Sequence, residues 1–482
     1  MSNFALIISE HELVAFRDLS YDTNPLHTDE AYARQSVFGQ RVVFGVLVLL
    51  KVLSRWQKGR TQPLKNIHVQ FKRPLFLNRH YHVEIEDLND GVAIRIVYGT
   101  RLQALIRVYC LAGAAIPDWP TQGEIAIAPV TPKPNAKADE TRTYSPNLNS
   151  LTESLRLLEL DRSFISWEQF VFFLWSSFTV GTENPGERAL YSELRASFSS
   201  PGIRPDVDIE INRYAMAYSD VYKVQKITGR AQGVENFEIQ AFMRPSKIDI
   251  QADLLASLPR LPADLMCRNA LVVGGGRGFG LASAMILALN GAKVESWGRS
   301  FSEKHDGVTF VQVDAQDPEA VGAHVRSIEN LSIDLLVLNA SPTIEAGKFI
   351  DLGEDDWLRF FLESASLYLV PFRALIPKLH SEAVVVIVSS VYVTEAPREF
   401  SHYVAAKAGI EGAFRALSKE FTNLKFMIYQ PPKMLTNQTN TIRKESTMHQ
   451  SEHVGYDMIQ KVIELKRQNE MNASNIIVKE FG

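Results

Sequence analysis

Tyr403 and Lys407 stand four positions apart in Tyr403-Val-Ala-Ala-Lys407, a spacing that puts a phenol and an ammonium on one face of a helix. A phenol titrates near pH ~10 in water, and an adjacent positive charge lowers that value, so the pair suits proton donation near neutrality. Upstream, the apolar run Leu271-Val-Val273 breaks into Gly274-Gly-Gly-Arg277-Gly278-Phe279-Gly280. Glycines after a buried strand permit a tight turn and close backbone approach to a pyrophosphate, whose charge then lies on the amino end of the next helix. Near the amino terminus, Asp22-Thr-Asn24-Pro-Leu-His27-Thr-Asp29 carries a carboxylate and an imidazole on one short loop. Such a pair can grip one water. Taken singly, the same residues also describe an ordinary turn, because Asp and Asn favour turns and Pro25 stiffens them.

These groups need elements to hold them. A chain of 482 residues suggests about three domains. Proline and polar residues cluster at Pro117-Asp-Trp-Pro120 and from Pro129 to Asn149, and a second break runs from Pro245 to Asp264. The expected division is 1–118, a linker at 119–144, 145–247, a linker at 248–265, and 266–482. The first two blocks repeat one plan. An apolar helix, Val42 to Gln57 or Trp167 to Val180, leads into alternating strands. In the first block these are His68 to Phe71, Tyr81 to Glu86, Val92 to Tyr98 and Ala104 to Tyr109; in the second, Leu194 to Phe198, Val207 to Ile211, Val221 to Ile227 and Phe237 to Phe242. The spacing suggests an antiparallel sheet curled around the helix, with two unrelated α+β domains as the alternative. The third block alternates strand and helix, the rhythm of a doubly wound parallel sheet that collects ligands at the carboxyl ends of its strands.

Composition narrows the class. Hydrophobic residues make up 46% of the chain, no uninterrupted apolar run approaches the ~20 residues of a membrane span, and the start MSNFALIISEHELVAF does not read as a signal peptide. A soluble, cytoplasmic protein with no membrane partner is expected. A net charge of -4 gives no electrostatic reason for a nucleic-acid partner. Cys110 and Cys267 lack metal-ligand spacing and are expected to be buried packing residues, and no metal site is expected. Basic residues crowd the stretch from Lys51 to Arg73 without an acidic one among them. They read either as a face for phosphates or an acidic carrier, or as a solvated surface.

With its motifs in view, the third block resembles the short-chain dehydrogenase/reductase family over nearly its whole length. Gly274, Gly278 and Gly280 match the family's glycine motif, and Asn339-Ala340-Ser341 its Asn-Ala-Gly turn. Ser390 precedes Tyr403 by thirteen positions (403 − 390), as the catalytic serine does in that family. The resemblance implies that Tyr403 gives a proton to a carbonyl oxygen held by Ser390 while a nicotinamide supplies hydride, and that Lys407 binds the nicotinamide ribose. It also implies a cofactor set of Gly274, Arg277, Gly278, Phe279, Gly280, Arg299, Asp314, Asn339, Ala340 and Ser341, joined by Tyr403 and Lys407. After the second strand, Ser296-Trp-Gly-Arg299-Ser300 has no acidic residue for a ribose 2′-hydroxyl, whereas Arg299 with Arg277 suits a 2′-phosphate. NADPH is therefore expected. Three positions depart from the family: Val273 replaces a threonine, Pro432 stands where Pro-Gly is common, and Ser364 occupies the place of an asparagine that anchors a water-mediated proton relay.

The amino-terminal loop, with Phe38-Gly39, Val42-Val-Phe44-Gly45 and Phe71-Lys-Arg-Pro74, resembles the MaoC-like, (R)-specific enoyl-CoA hydratase family of hotdog folds. The likeness covers about the first 115 residues. It implies that Asp22 and His27 act on the hydroxyl and α-proton of a 3-hydroxyacyl thioester, with free amides near Gly45 polarising its carbonyl. Phe44 replaces the family's usual histidine. The second block, entered by Asp161-Arg-Ser-Phe-Ile-Ser-Trp167, lacks such a pair and is expected to be a degenerate second hotdog. Its aromatic residues Phe164, Trp167, Phe170, Phe172, Phe173, Trp175 and Phe178 read more readily as core than as lining of an acyl tunnel.

The expected architecture is thus multidomain α+β and α/β, an N-terminal double hotdog followed by a Rossmann-type doubly wound parallel sheet. The expected function is bifunctional: reduction of a β-ketoacyl thioester and dehydration of the (R)-3-hydroxyacyl product, on coenzyme A or acyl carrier protein, in fatty-acid or polyketide type biosynthesis. A ketoreductase with a non-catalytic double hotdog, and a non-catalytic scaffold of a synthase complex, are the alternatives. The family resemblance further implies a homo-oligomer.

Overall fold

The computed structural model describes residues 3–482 apart from 59, 61, 112–114, 121–140, 163, 201–208, 263–266, 302–304, 329–331, 441–447 and 468–474. The chain divides into two compact units, Met1–Arg34 with Gln40–Ser246, and Lys247–Gly482 with Gln35–Gly39.

In the first unit, the strands place alternate residues on a common core. Ile67 and Val69 do so from Leu64–Phe71, and Ile94 and Ile96 from Val92–Tyr98. Among the described residues, ten strands form one sheet, in the order Phe4–Leu6, Tyr81–Asp87, Val92–Tyr98, Arg101–Cys110, Leu64–Phe71, Ala189–Phe198, Val234–Met243, Val224–Ala231, Ile209–Ser219 and Thr141–Tyr144. Read inward from either edge, that order is the same: a short strand preceding the helices, three meander strands, then the strand that follows the long helix. The halves meet where Leu64–Phe71 pairs antiparallel with Ala189–Phe198, Ile67 opposite Ala196 and Val69 opposite Leu194. This is the double hotdog. Helix Gly45–Gln57 is apolar around most of its circumference, and helix Trp167–Phe178 is buried at every residue, as helices enclosed by a sheet must be. A reciprocal cap between Ser166 and Gln169 starts the second helix, which ends in a π-turn at Thr179–Glu183.

The second unit contains, among the described residues, seven parallel strands in the order Val308–Gln312, Lys293–Gly298, Asn269–Val273, Ile333–Leu338, Leu379–Val388, Lys425–Gln430 and Ile476–Glu480. Ala270 and Val272 enter one apolar cluster and Leu271 and Val273 another, so both faces of the sheet are covered by helices. The helices that matter for the site are Gly278–Leu289, Glu354–Leu375 and Ser401–Glu420.

Several expectations change. The proposed linker 119–144 falls mostly on 121–140, outside the described residues, but Thr141–Tyr144 is an edge strand paired with Ile209–Ser219. The segment 248–265 is not free coil: it contains helix Ala252–Ser257, and the amides of Ile248 and Gln251 donate to Asn437 and Glu452. Lys51 does not belong to a solvated basic face, because it is buried and ion-paired with Glu12, while Arg55 pairs with Glu159. Cys267 is buried, but Cys110 only partly so. One stretch, Asp355–Lys378, is long and apolar enough by length and composition to cross a membrane. Its interruption by Asp356, Arg359 and Glu363, which pair with one another, is why no unbroken apolar run marks it in the sequence.

Candidate functional site

The glycine loop of the second unit is shaped for close backbone approach. Gly274 has φ +85°, and a Cβ there would lie 2.6 Å from the backbone of Ala340, so only glycine fits. The Asn339 side chain holds the loop from the neighbouring strand end, its Nδ2 donating to the Gly274 carbonyl at 3.0 Å. A Cβ on Gly276 would lie 2.3 Å from the Ser300 carbonyl, which brings the Arg277 loop against the turn bearing Arg299. Arg299 is exposed, and Arg277 is the N-cap of Gly278–Leu289, where no side chain caps the first amides. Ser296, within the adjacent strand and against Gly275, has a buried hydroxyl with no partner. Open amides, glycine-only backbone and an unmet hydroxyl fit a bound dinucleotide. Phe279 contributes only backbone to such a site, since its ring is buried and stacked 6.2 Å from Tyr429. Asp314 accepts from the Gln316 amide at 3.0 Å, shaping the turn after its strand, and the Ser341 hydroxyl donates to the Pro342 carbonyl at 3.1 Å.

Strand Leu379–Val388 delivers Ser390 and helix Ser401–Glu420 delivers Tyr403 and Lys407 to one place. The Ser390 hydroxyl draws the Tyr403 pKa down, but burial outweighs it and Tyr392 adds to burial, leaving the phenol pushed up to about 12. This corrects the expectation that Lys407 lowers it: the lysine Nζ lies 5.9 Å from the Tyr403 ring centroid and is bonded elsewhere, to the Tyr368 hydroxyl at 2.6 Å and the Val388 carbonyl at 2.9 Å. Burial also lowers Lys407 to about 7, against an opposing pull from Glu411. Ser364, one turn before Tyr368, is buried. Tyr368 was not singled out by the sequence, where it looks like one more core aromatic.

The other constellation lies in the first unit. Asn24 caps the turn Pro25–Thr28, its side chain accepting from the Leu26 amide, and this presents His27. His27 Nδ1 is 2.6 Å from the Val42 carbonyl. A carbonyl can only accept, so Nδ1 bears the proton and Nε2 keeps its lone pair. The Phe44 ring covers the imidazole at 4.1 Å between centroids. Burial drives His27 down to about 4, with Val42 opposing and the Arg244 charge assisting. Asp22 is 2% exposed and pushed up to about 7 by burial, against the hydroxyl of Ser177, which donates at 2.7 Å, and the Asn24 amide at 3.1 Å. Gly181, in the π-turn, leaves room for that carboxylate, since a Cβ there would lie 2.2 Å from its Oδ1. Gly45 opens its helix with no side-chain cap on Phe44, and a Cβ on it would meet the Phe71 ring at 2.8 Å.

Ser177 and Gly181 belong to the second hotdog, which therefore helps to build the Asp22 site despite having no acid–base pair of its own. Arg244 was likewise unforeseen: it is 9% exposed, Nη2 donates to the Tyr32 hydroxyl and the Glu187 carbonyl, and Nε is buried without a partner.

Comparison with known proteins finds a family for part of each unit. The short chain dehydrogenase family model matches residues 268–447, and the MaoC like domain model matches residues 4–105. A 3-oxoacyl-acyl-carrier-protein reductase of Chlamydia trachomatis is 34% identical over 172 residues, 32% of this chain and 68% of that protein. An (R)-specific enoyl-CoA hydratase of Rhodospirillum rubrum is 35% identical over 77 residues, 15% of this chain and 54% of that protein. A solved short-chain dehydrogenase from Streptomyces avermitilis is 20% identical, covering 45% of this chain and 88% of its own, with a TM-score of 0.38. The chain belongs to the short-chain dehydrogenase family through its carboxyl-terminal unit, and its amino-terminal unit carries a MaoC-like domain. It is an enzyme of a family that uses nicotinamide cofactors.

Proposed function

We propose that the chain reduces a β-ketoacyl thioester with NADPH and dehydrates the resulting (R)-3-hydroxyacyl thioester to the trans-2-enoyl thioester, as in fatty-acid or polyketide extension. The observation that carries this reading is the presence, in one chain, of Ser390 against Tyr403 with Lys407 one turn on, and of the buried Asp22 together with His27 on one loop. Arg277 and Arg299 favour the 2′-phosphate of NADPH, and the open amides at Gly278 receive the pyrophosphate. When bound, NADPH supplies hydride. Ser390 holds the carbonyl oxygen, and Tyr403 gives it a proton at its phenolic oxygen. Lys407, one helical turn beyond Tyr403, binds the ribose with the N–H that Tyr368 and Val388 leave open, while the Ser390 hydroxyl is the group that favours release of the Tyr403 proton.

At the second centre, the bare Nε2 of His27 takes the α-proton, and Asp22, whose raised pKa keeps it protonated toward neutrality, gives a proton to the departing hydroxyl. The Gly45 amide end receives charge developing on the thioester oxygen. A second reading keeps the reductase and makes the double hotdog a substrate-holding module, favoured by the apolar Phe44 ring lying over His27.

Steady NADPH oxidation with acetoacetyl thioester, reduced about 10²–10⁴-fold in Tyr403→Phe, is the expected result for the reductase. Its absence in the wild type overturns that half. Dehydration of 3-hydroxybutyryl thioester, lost in His27→Ala, separates the two-step enzyme from the holding module, for which wild type and variant are equally inert.

A further inference from the structure

Lys407 is a buried cation, 5% exposed, held by oxygens on two neighbouring elements. Nζ donates to the Tyr368 hydroxyl on helix Glu354–Leu375 at 2.6 Å and to the Val388 carbonyl at 2.9 Å, and Tyr368 donates to that same carbonyl at 2.5 Å. Tyr368 thus closes a triangle, accepting from the lysine while donating to the strand. Packing accounts for an aromatic residue at this position, which is 1% exposed. It does not account for the hydroxyl, because phenylalanine fills the same space without a buried oxygen to satisfy.

We propose that Tyr368 is a positioning residue of the reductase site: its hydroxyl fixes the Lys407 ammonium on the Val388 carbonyl and leaves the third N–H for a ribose hydroxyl of the dinucleotide. The proposal rests on the reading of Lys407 as the ribose-binding residue. On the same helix as Lys407, Tyr403 lies one turn before it and Glu411 one turn after. The Glu411 carboxylate favours the charged lysine but is itself engaged by the Ser389 hydroxyl at 2.6 Å, by Gln430 Nε2 at 2.8 Å and by Arg415. An oxygen that accepts from an ammonium favours the charged form, so removing it moves the lysine titration to lower pH.

Tyr368→Phe keeps the ring and deletes that oxygen. NADPH affinity, read from nicotinamide fluorescence across the pH range of the Lys407 titration, is expected to fall as the wild type loses its ammonium proton. In Tyr368→Phe the fall moves down by about one pH unit, the size of one hydrogen bond to a charged group. Circular dichroism checks that the variant is folded, and Lys407→Met is expected to bind weakly with no dependence over the same range. Superimposable wild-type and Tyr368→Phe profiles overturn the proposal while leaving the role of Lys407 intact. A wild type that binds equally at every pH, with Lys407→Met no weaker, overturns the ribose reading and the proposal with it.

Discussion

Burial moves the titrating side chains of the two centres away from their solution values, and the direction decides what each can do. Asp22 rises to about 7 and His27 falls to about 4, so between these values the pair carries one proton. Dehydration and its reverse both need that single proton. The pH profile of kcat/KM for 3-hydroxybutyryl thioester is therefore expected to be bell-shaped, with limbs near about 4 and about 7. Ser177→Ala removes a donor to the carboxylate and is expected to move the upper limb higher by about one unit. An upper limb that stays put in that variant contradicts the assignment of Asp22 as the acid. Stability follows the same group. An aspartate raised in the folded state stabilises at low pH, and that contribution disappears as the pH climbs from the unfolded carboxylate value through about 7. Thermal melts of the wild type are expected to show this decline, and melts of Asp22→Asn to lack the part due to this group.

At the scale of elements, the Asp22 site depends on the π-turn Thr179–Glu183 and the reductase site on the glycine loop. Gly181→Ala puts a methyl group into the Asp22 carboxylate and is expected to abolish dehydration while NADPH-dependent reduction persists. Gly274→Ala forces a side chain into left-handed backbone against Ala340 and is expected to do the opposite. Loss of both activities in either variant argues against two separate centres. The glycine loop, the Ser390–Tyr403–Lys407 spacing and the strand–helix rhythm were legible because each is local in sequence. The support of Asp22 was not, because Ser177 lies 155 positions away and becomes its neighbour only when the halves share one sheet. Helix Glu10–Ser20 was legible but went unread: Ser9 and Glu12 form a reciprocal cap whose residues stand plainly in the sequence. The lowered tyrosine pKa failed for a different reason. Spacing put Lys407 on the right helical face, but Tyr368 on another helix decides where its ammonium points.

For the whole molecule, the repeated strand order joins the two hotdogs in one sheet, and the second supports the loop of the first. Its strand Ala189–Phe198 completes the sheet, and its helix end supplies Ser177 and Gly181. In the proposed sequence, joining this unit to a reductase in one chain would make the product of one centre the substrate of the other. The most direct measurement is the mass of the products formed from acetoacetyl thioester and NADPH. The wild type is expected to yield the 3-hydroxybutyryl species and then the species lighter by one water; His27→Ala is expected to stop at the first, and Tyr403→Phe to leave the substrate unchanged. A wild type that accumulates only the 3-hydroxy product, with no dehydrated species on prolonged incubation, contradicts the two-step account.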